Sequence, residues 1–168
     1  MAICAMVAAL AAGCSRCTGD EDAAPRRATR EQFIRYNRYL VRSDSVCIAQ
    51  YSDTMGLTTR PTDTNLWLTV RDSGEGKPIV NGDKVSFAYT VTTLLGDTLY
   101  ASARDGIATV TVGQGEVNMG VDEVLTSLGI GGEATAILIP EKAFGVRGDG
   151  DAVRGRMILR YDIKVLTP

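Results

Sequence analysis

No histidine occurs in the 168 residues. That removes the general base of Ser-His-Asp and Cys-His catalysis and any histidine-ligated zinc. Three carboxylates, Glu141, Asp149 and Asp151, stand close in sequence around Gly148 and Gly150. They suggest a cation loop, yet the twelve-residue calcium pattern is missing, and a solvated flap is the expected reading. Gly113-Gln114-Gly115-Glu116 has two glycines of a dinucleotide cradle, without the third and without a βαβ setting. A net charge of −2 and a pI near 5.2 give no basic patch for nucleic acid. These residues argue against a conventional hydrolase, and no cofactor or metal is expected.

The elements that must position any site centre on residues 113–145. Val117, Val121, Val124, Leu125 and Leu128 fall at helical spacing, with Gly129 as a left-handed stop. Ala134, Ala136 and Leu138 then alternate with Thr135, Ile137 and Ile139 as a strand that ends at Pro140. So short a helix needs a packing partner, and the flanking segments provide one. Residues 66–74 read as a strand. Residues 84–95 alternate, placing Val85, Phe87, Tyr89 and Val91 on one face. Further strands are expected at 98–102 and 108–112, and at 157–166 with Met157, Leu159, Tyr161, Ile163 and Val165 on one face. Antiparallel strands with one amphipathic helix predict an α+β domain over 66–168, the helix lying across a twisted sheet.

Upstream, Thr29-Arg30-Glu31-Gln32 is a capping-box pattern that opens a helical arm over 29–56. Phe33, Tyr36, Leu40, Cys47, Tyr51 and Met55 mark its apolar stripe, with Tyr39 and Ile48 beside it. Ser43 and Asp44 are expected to interrupt that stripe. Two readings of the arm stand: packing on its own domain, or pairing with a partner or a second copy as a homodimer. Residues 57–65 read as a linker.

Residues 1–13 suit the apolar part of an export signal. Leu10-Ala11-Ala12-Gly13-Cys14 resembles a bacterial lipobox, which implies acylation at Cys14 and attachment to a membrane of the cell envelope. Residues 14–28 read as a disordered tether; its Asp20-Glu21-Asp22 run is a solvated spacer or, by resemblance, a surface-sorting signal. Cys17 and Cys47 remain, a pair that an oxidising compartment would allow to bridge.

Four blocks resemble the signature segments of FKBP-type peptidyl-prolyl cis-trans isomerases, in that family's order. They are NGDKVSFAYTV, LGDTLYAS, VGQGEVNMGVDEVLTSLGIGGEATAILIPEKAFG and ILRYDIKVL. The resemblance implies a half-barrel of five or six antiparallel strands around the short helix, with a proline pocket between them. With the lipobox and arm, it points to envelope-anchored lipoproteins that act on proline-containing exported polypeptides. Rotation about X–Pro breaks no bond, so it needs neither nucleophile nor base. Position by position, the resemblance assigns Tyr89 to the pocket wall and Val117 with Asn118 to the segment whose backbone N–H meets a ligand carbonyl. Tyr161 becomes a floor aromatic, Leu99 a wall residue and Val153 the aliphatic contact of a flap over 146–156. The departures are equally specific. Tyr100, or Ala101 if the turn slips, stands where the family has an aspartate. Val121 replaces a tryptophan, Ala108 falls near a missing phenylalanine, and Phe144 lacks a hydroxyl. They predict weak binding of the family's macrolide ligands, and leave two functions to weigh: an isomerase, or a binding module with the same groove.

Overall fold

The computed structural model describes residues 29–166. The signal segment, Cys14, the tether and Cys17 lie outside the described residues. Helix α1 spans Arg30–Met55. Thr29 caps it as its residue pattern predicts: Oγ1 accepts the Gln32 N–H at 3.3 Å, and the Thr29 N–H donates to Gln32 Oε1 at 2.8 Å. Gly56, at φ 63°, closes the other end with its N–H on the last-turn carbonyls. No helix among the described residues is long and apolar enough to cross a membrane.

One expectation for the arm is corrected, the residues of its buried face. The helix runs unbroken through Ser43 and Asp44, and Asp44 breaks the apolar run with a charge that meets Arg156 Nη2 at 2.7 Å. The seam against the sheet is Asp44, Ile48 and Ser52, spaced i, i+4, i+8; Ile48 and Ser52 are buried, and Asp44 and Tyr51 are half-buried beside them. Ile48 is fully covered, whereas Phe33 and Met55 of the expected stripe are 61% and 53% exposed. Only the C-terminal half of α1 lies on the sheet, so the sheet selects the buried face. The aromatic N-terminal half extends past it.

Seven antiparallel strands follow: β1 (Arg60–Pro61), β2 (Trp67–Asp72), β3 (Lys84–Thr93), β4 (Thr98–Ala101), β5 (Ala108–Thr111), β6 (Glu133–Leu138) and β7 (Leu159–Val165). β1 lies inside the expected linker, where Arg60 and Pro61 pair with Leu68 and Trp67. The sheet order is β1-β2-β6-β7-β3-β4, and β5 also pairs with β3. One edge of β3 therefore serves two short strands: β5 opposite Lys84 to Phe87, β4 opposite Thr90 to Thr92. Between them the Tyr89 N–H donates to Ser102 Oγ at 3.2 Å. Ser102 opens α2 (Ser102–Asp105), a single turn that periodicity does not reveal.

The sheet is buried along its inner face and, where α1 crosses it, over part of its outer face. Inward, Ala134, Ala136 and Leu138 of β6 join Leu159, Tyr161, Ile163 and Val165 of β7 and the alternating residues of β3 under helix α3 (Met119–Thr126). Outward, Ile137 and Ile139 meet Ile48, with Trp67, Leu94 and Ile158 around them. The expected period-two face of 157–166 is present in β7. α3 itself is shorter than its apolar spacing suggests. Asn118 is its N-cap, so Val117 precedes the helix, and it ends at Ser127 in right-handed geometry. Gly129 is not a left-handed stop. A Cβ there would meet Gly76 O at 3.0 Å, and its N–H bonds Ser73 O at 2.8 Å. The glycine is needed for close approach of two loops, not for helix termination.

Candidate functional site

Where α3 begins, its first turn stands over the sheet and leaves a hollow of about 270 Å³. β3 and β7 set the floor. Val91 pairs directly with Tyr161, and Tyr161 has Ala136 on its other side. The small alanine leaves the space above the sheet to the phenol ring. Phe87 and Tyr89 continue the floor along β3, their rings 6.0 Å apart and tilted by 58°. Val117, Asn118 and Val121 come from the helix side. Phe144, just past the 3-10 turn Pro140–Lys142, completes the apolar lining with Ala108 of β5. Close approach of α3 depends on Gly120: a Cβ there would lie 2.7 Å from a Leu138 methyl and 3.0 Å from Lys142 O.

Seven of the nine pocket residues expected from the sequence line this hollow: Tyr89, Tyr100, Val117, Asn118, Val121, Phe144 and Tyr161. Leu99 does not. β4 carries a bulge here, pairing Val91 with Tyr100 but Thr92 with Thr98, so Leu99 is the extra residue, half-buried against the core. The same register places Tyr100, rather than Ala101, on the hollow. Val153 is also elsewhere, in the core at 3% exposed. Four lining residues lie outside those nine, although Ala108 already marks the place of a missing phenylalanine. Phe87 and Val91 share the face of Tyr89, a signal already present in the alternation of β3. Ala108 and Glu116 reach the rim through tertiary folding; Glu116 Oε2 accepts the Thr111 N–H at 3.0 Å.

Polar groups are few and mostly engaged. Asn118 Nδ2 donates to Tyr161 Oη at 2.9 Å. Burial pushes the Tyr161 phenol above its ordinary range, against that hydrogen bond, so it keeps its proton at neutral pH. The backbone N–H of Asn118 has no acceptor among the described residues. At the rim, Tyr100 Oη donates to Asp149 Oδ2. The other Asp149 oxygen accepts the N–H groups of Asp151 at 2.8 Å and Val153 at 2.9 Å. Asp149 thus folds the flap onto itself and ties it to β4. Arg156 closes the flap's far end, its N–H on Gly145 O at 3.0 Å and its guanidinium on Asp44 and Glu141. Among the described residues, no three His, Cys, Asp or Glu side chains are grouped to hold a metal ion.

Burial opposes ionisation of Asp149, but the hydrogen bonds from Tyr100, Asp151 and Val153 outweigh it and hold the carboxyl below its ordinary value of 3.8. A lowered carboxyl contributes stability that is present above its unfolded value and is lost as pH falls through the lower folded one. The flap is therefore expected to stay latched through neutral pH and to loosen only below about pH 4. Asp149→Ala, which removes three hydrogen bonds from an exposed loop, is expected to speed cleavage of the flap under limited proteolysis about threefold while leaving the rest of the domain protected. An unchanged cleavage rate rejects the latch.

The geometry is matched by three comparisons. A family model described as FKBP-type peptidyl-prolyl cis-trans isomerase matches residues 75–166. Peptidyl-prolyl cis-trans isomerase Fkbp12 of Drosophila melanogaster is 36% identical over 88 residues, which cover 51% of this chain and 81% of that protein. FK506-binding protein 1A of Emericella nidulans is 33% identical over 96 residues, 55% of this chain and 88% of that protein. The crystal structure of AtFKBP13 is similar in fold, with a TM-score of 0.59 at 24% identity over 63% of this chain and 94% of that one.

Proposed function

This chain belongs to the FKBP-type peptidyl-prolyl cis-trans isomerase family, and on that premise we propose that its hollow seats the proline of an X–Pro bond in exported polypeptides and speeds rotation there. The observation that carries the reading is the hollow itself. It is apolar, lined by aromatic rings, and offers at Asn118 a backbone N–H with no acceptor among the described residues. The rotation barrier of about 18–20 kcal/mol comes from amide conjugation. Conjugation and charge separation are both reduced in the twisted state, so a dry apolar seat favours twisted over planar. The Asn118 N–H would fix the peptide by a carbonyl. No group need gain or lose a proton, which suits a chain without histidine.

Exchange spectroscopy on an Ala-Pro peptide with the purified chain tests this. Added protein should broaden and merge the cis and trans signals, exchanging them far faster than the roughly tens to hundreds of seconds of the uncatalysed reaction. Unchanged exchange in the presence of folded protein rejects turnover. A second reading rests on Phe144 and Val121, which give this hollow no hydroxyl at position 144 and little aromatic area on the helix side. In that reading the groove holds proline segments as a chaperone and turns them over slowly; binding without exchange supports it.

The proposal extends to place and partners. The run from Leu10 to Cys14 supports acylation at Cys14 and anchoring in the cell envelope, at the outer membrane on its periplasmic or surface side. The exposed Phe33, Ile34, Tyr36 and Tyr39 of α1 support a homodimer through the arm. Intact mass of the membrane-extracted chain tests the first, an unmodified Cys14 discarding it. Light scattering tests the second, and a monomer discards it.

A further inference from the structure

A phenylalanine at position 144 brings no polar atom to the hollow, yet the floor beneath it holds one. Tyr161 is buried, 5% exposed, and its hydroxyl oxygen accepts from Asn118 Nδ2 at 2.9 Å. That bond uses a lone pair and leaves the phenolic proton free. Among the described residues, Asn118 is the one side-chain partner this hydroxyl has. A buried O–H without an acceptor is costly, and here it lines an open hollow into which an acceptor can come.

Asn118 supplies an independent observation. An asparagine at a helix N-cap ordinarily turns its side chain to the second or third amide of the helix. Asn118 makes no such bond. Its carbonyl accepts the N–H groups of Val121 at 2.9 Å and Asp122 at 3.1 Å, and the Asp122 carboxylate is turned away to the Gly113 N–H at 3.0 Å. The Asn118 amide is aimed instead at the phenol.

We propose that the Tyr161 hydroxyl, oriented by the Asn118 amide, is a hydrogen-bond donor to the bound substrate, and that its acceptor is the carbonyl of the prolyl residue itself. The inference rests on the isomerase reading above. The acceptor follows from the chemistry. The oxygen of the rotating amide loses negative charge as the bond twists, so a donor there would hold the planar state. On the next carbonyl the same donor anchors the ring and leaves the X–Pro bond free to turn. Tyr161 then contacts substrate, and the Asn118 side chain acts through it as a positioning residue.

Tyr161→Phe removes the oxygen alone, and Asn118→Asp replaces the donating amide by a carboxylate that captures the phenolic proton. Both keep the backbone N–H at position 118. In the full chain, with an Ala-Pro peptide as probe, each is expected to raise KM and Kd about three- to tenfold. Each should leave kcat within about twofold, because the interaction is the same in planar and twisted states. Thermal melting of each variant, read beside the kinetics, shows that the fold is intact. Peptide affinity and KM unchanged in Tyr161→Phe overturn the donor and leave the isomerase reading standing, as does a loss confined to kcat. A wild type that neither turns over nor binds the peptide overturns both.

Discussion

Tyr89→Ala is expected to lower kcat/KM about 30-fold, with the melting temperature moved far less than by a core substitution. Tyr89 is half-buried on the inner face of β3 and lines the hollow rather than the closed core. A tyrosine buries on the order of 150–250 Å². If roughly 80 Å² of that meets substrate, at about 25 cal/mol per Å² the contact contributes about 2 kcal/mol, which is about 30-fold in rate. Part of the change falls on Phe87, whose ring loses its tilted neighbour 6.0 Å away; such pairs contribute about 0.5–1.5 kcal/mol to stability. Tyr89→Phe keeps the ring and should keep most of the activity. Exchange rates for both variants, measured beside urea unfolding, check the argument. Full activity in Tyr89→Ala means the peptide does not use this hollow.

Leu138→Ala should give the largest loss of stability, about 3–5 kcal/mol. Leu138 has no exposed surface and lies under Gly120, where its methyls fill the space a helix Cβ would take. Truncation leaves a void beneath the first turn of α3 that the backbone cannot close, since β6 is paired on both sides. Because that turn carries Asn118 and Val121, substrate affinity should fall as well. Urea unfolding reads the first effect as a lower midpoint at constant slope. A shift under 1 kcal/mol would show that α3 resettles onto the sheet.

The residues that build the hollow were legible where one strand or one helix turn decides their direction. Strict alternation in 84–93 and 159–165 put Tyr89 and Tyr161 on one face, and the capping box at Thr29 opened α1 as expected. Cross-strand events were not legible. Leu99 lost its place to a bulge whose cause is the register between β3 and β4, and a single strand carries no record of its partner's register. The face that the arm buries differs from its expected stripe for a related reason. Periodicity ranks the faces of a helix by composition, yet α1 turns Asp44, Ile48 and Ser52 to the sheet because Arg156, Ile137 and Thr59 are what it meets. Gly129 read as a helix stop on residue type alone, and its reason is a neighbouring loop more than fifty residues upstream in the chain.

The helix at the mouth of the groove is begun by a main-chain carbonyl and leaves its leading side chain idle as a cap. Position 118 can therefore change identity without costing the helix a cap, and what a change costs falls on the hydroxyl of Tyr161. A single exchange there acts on the groove and leaves the start of the helix as it is.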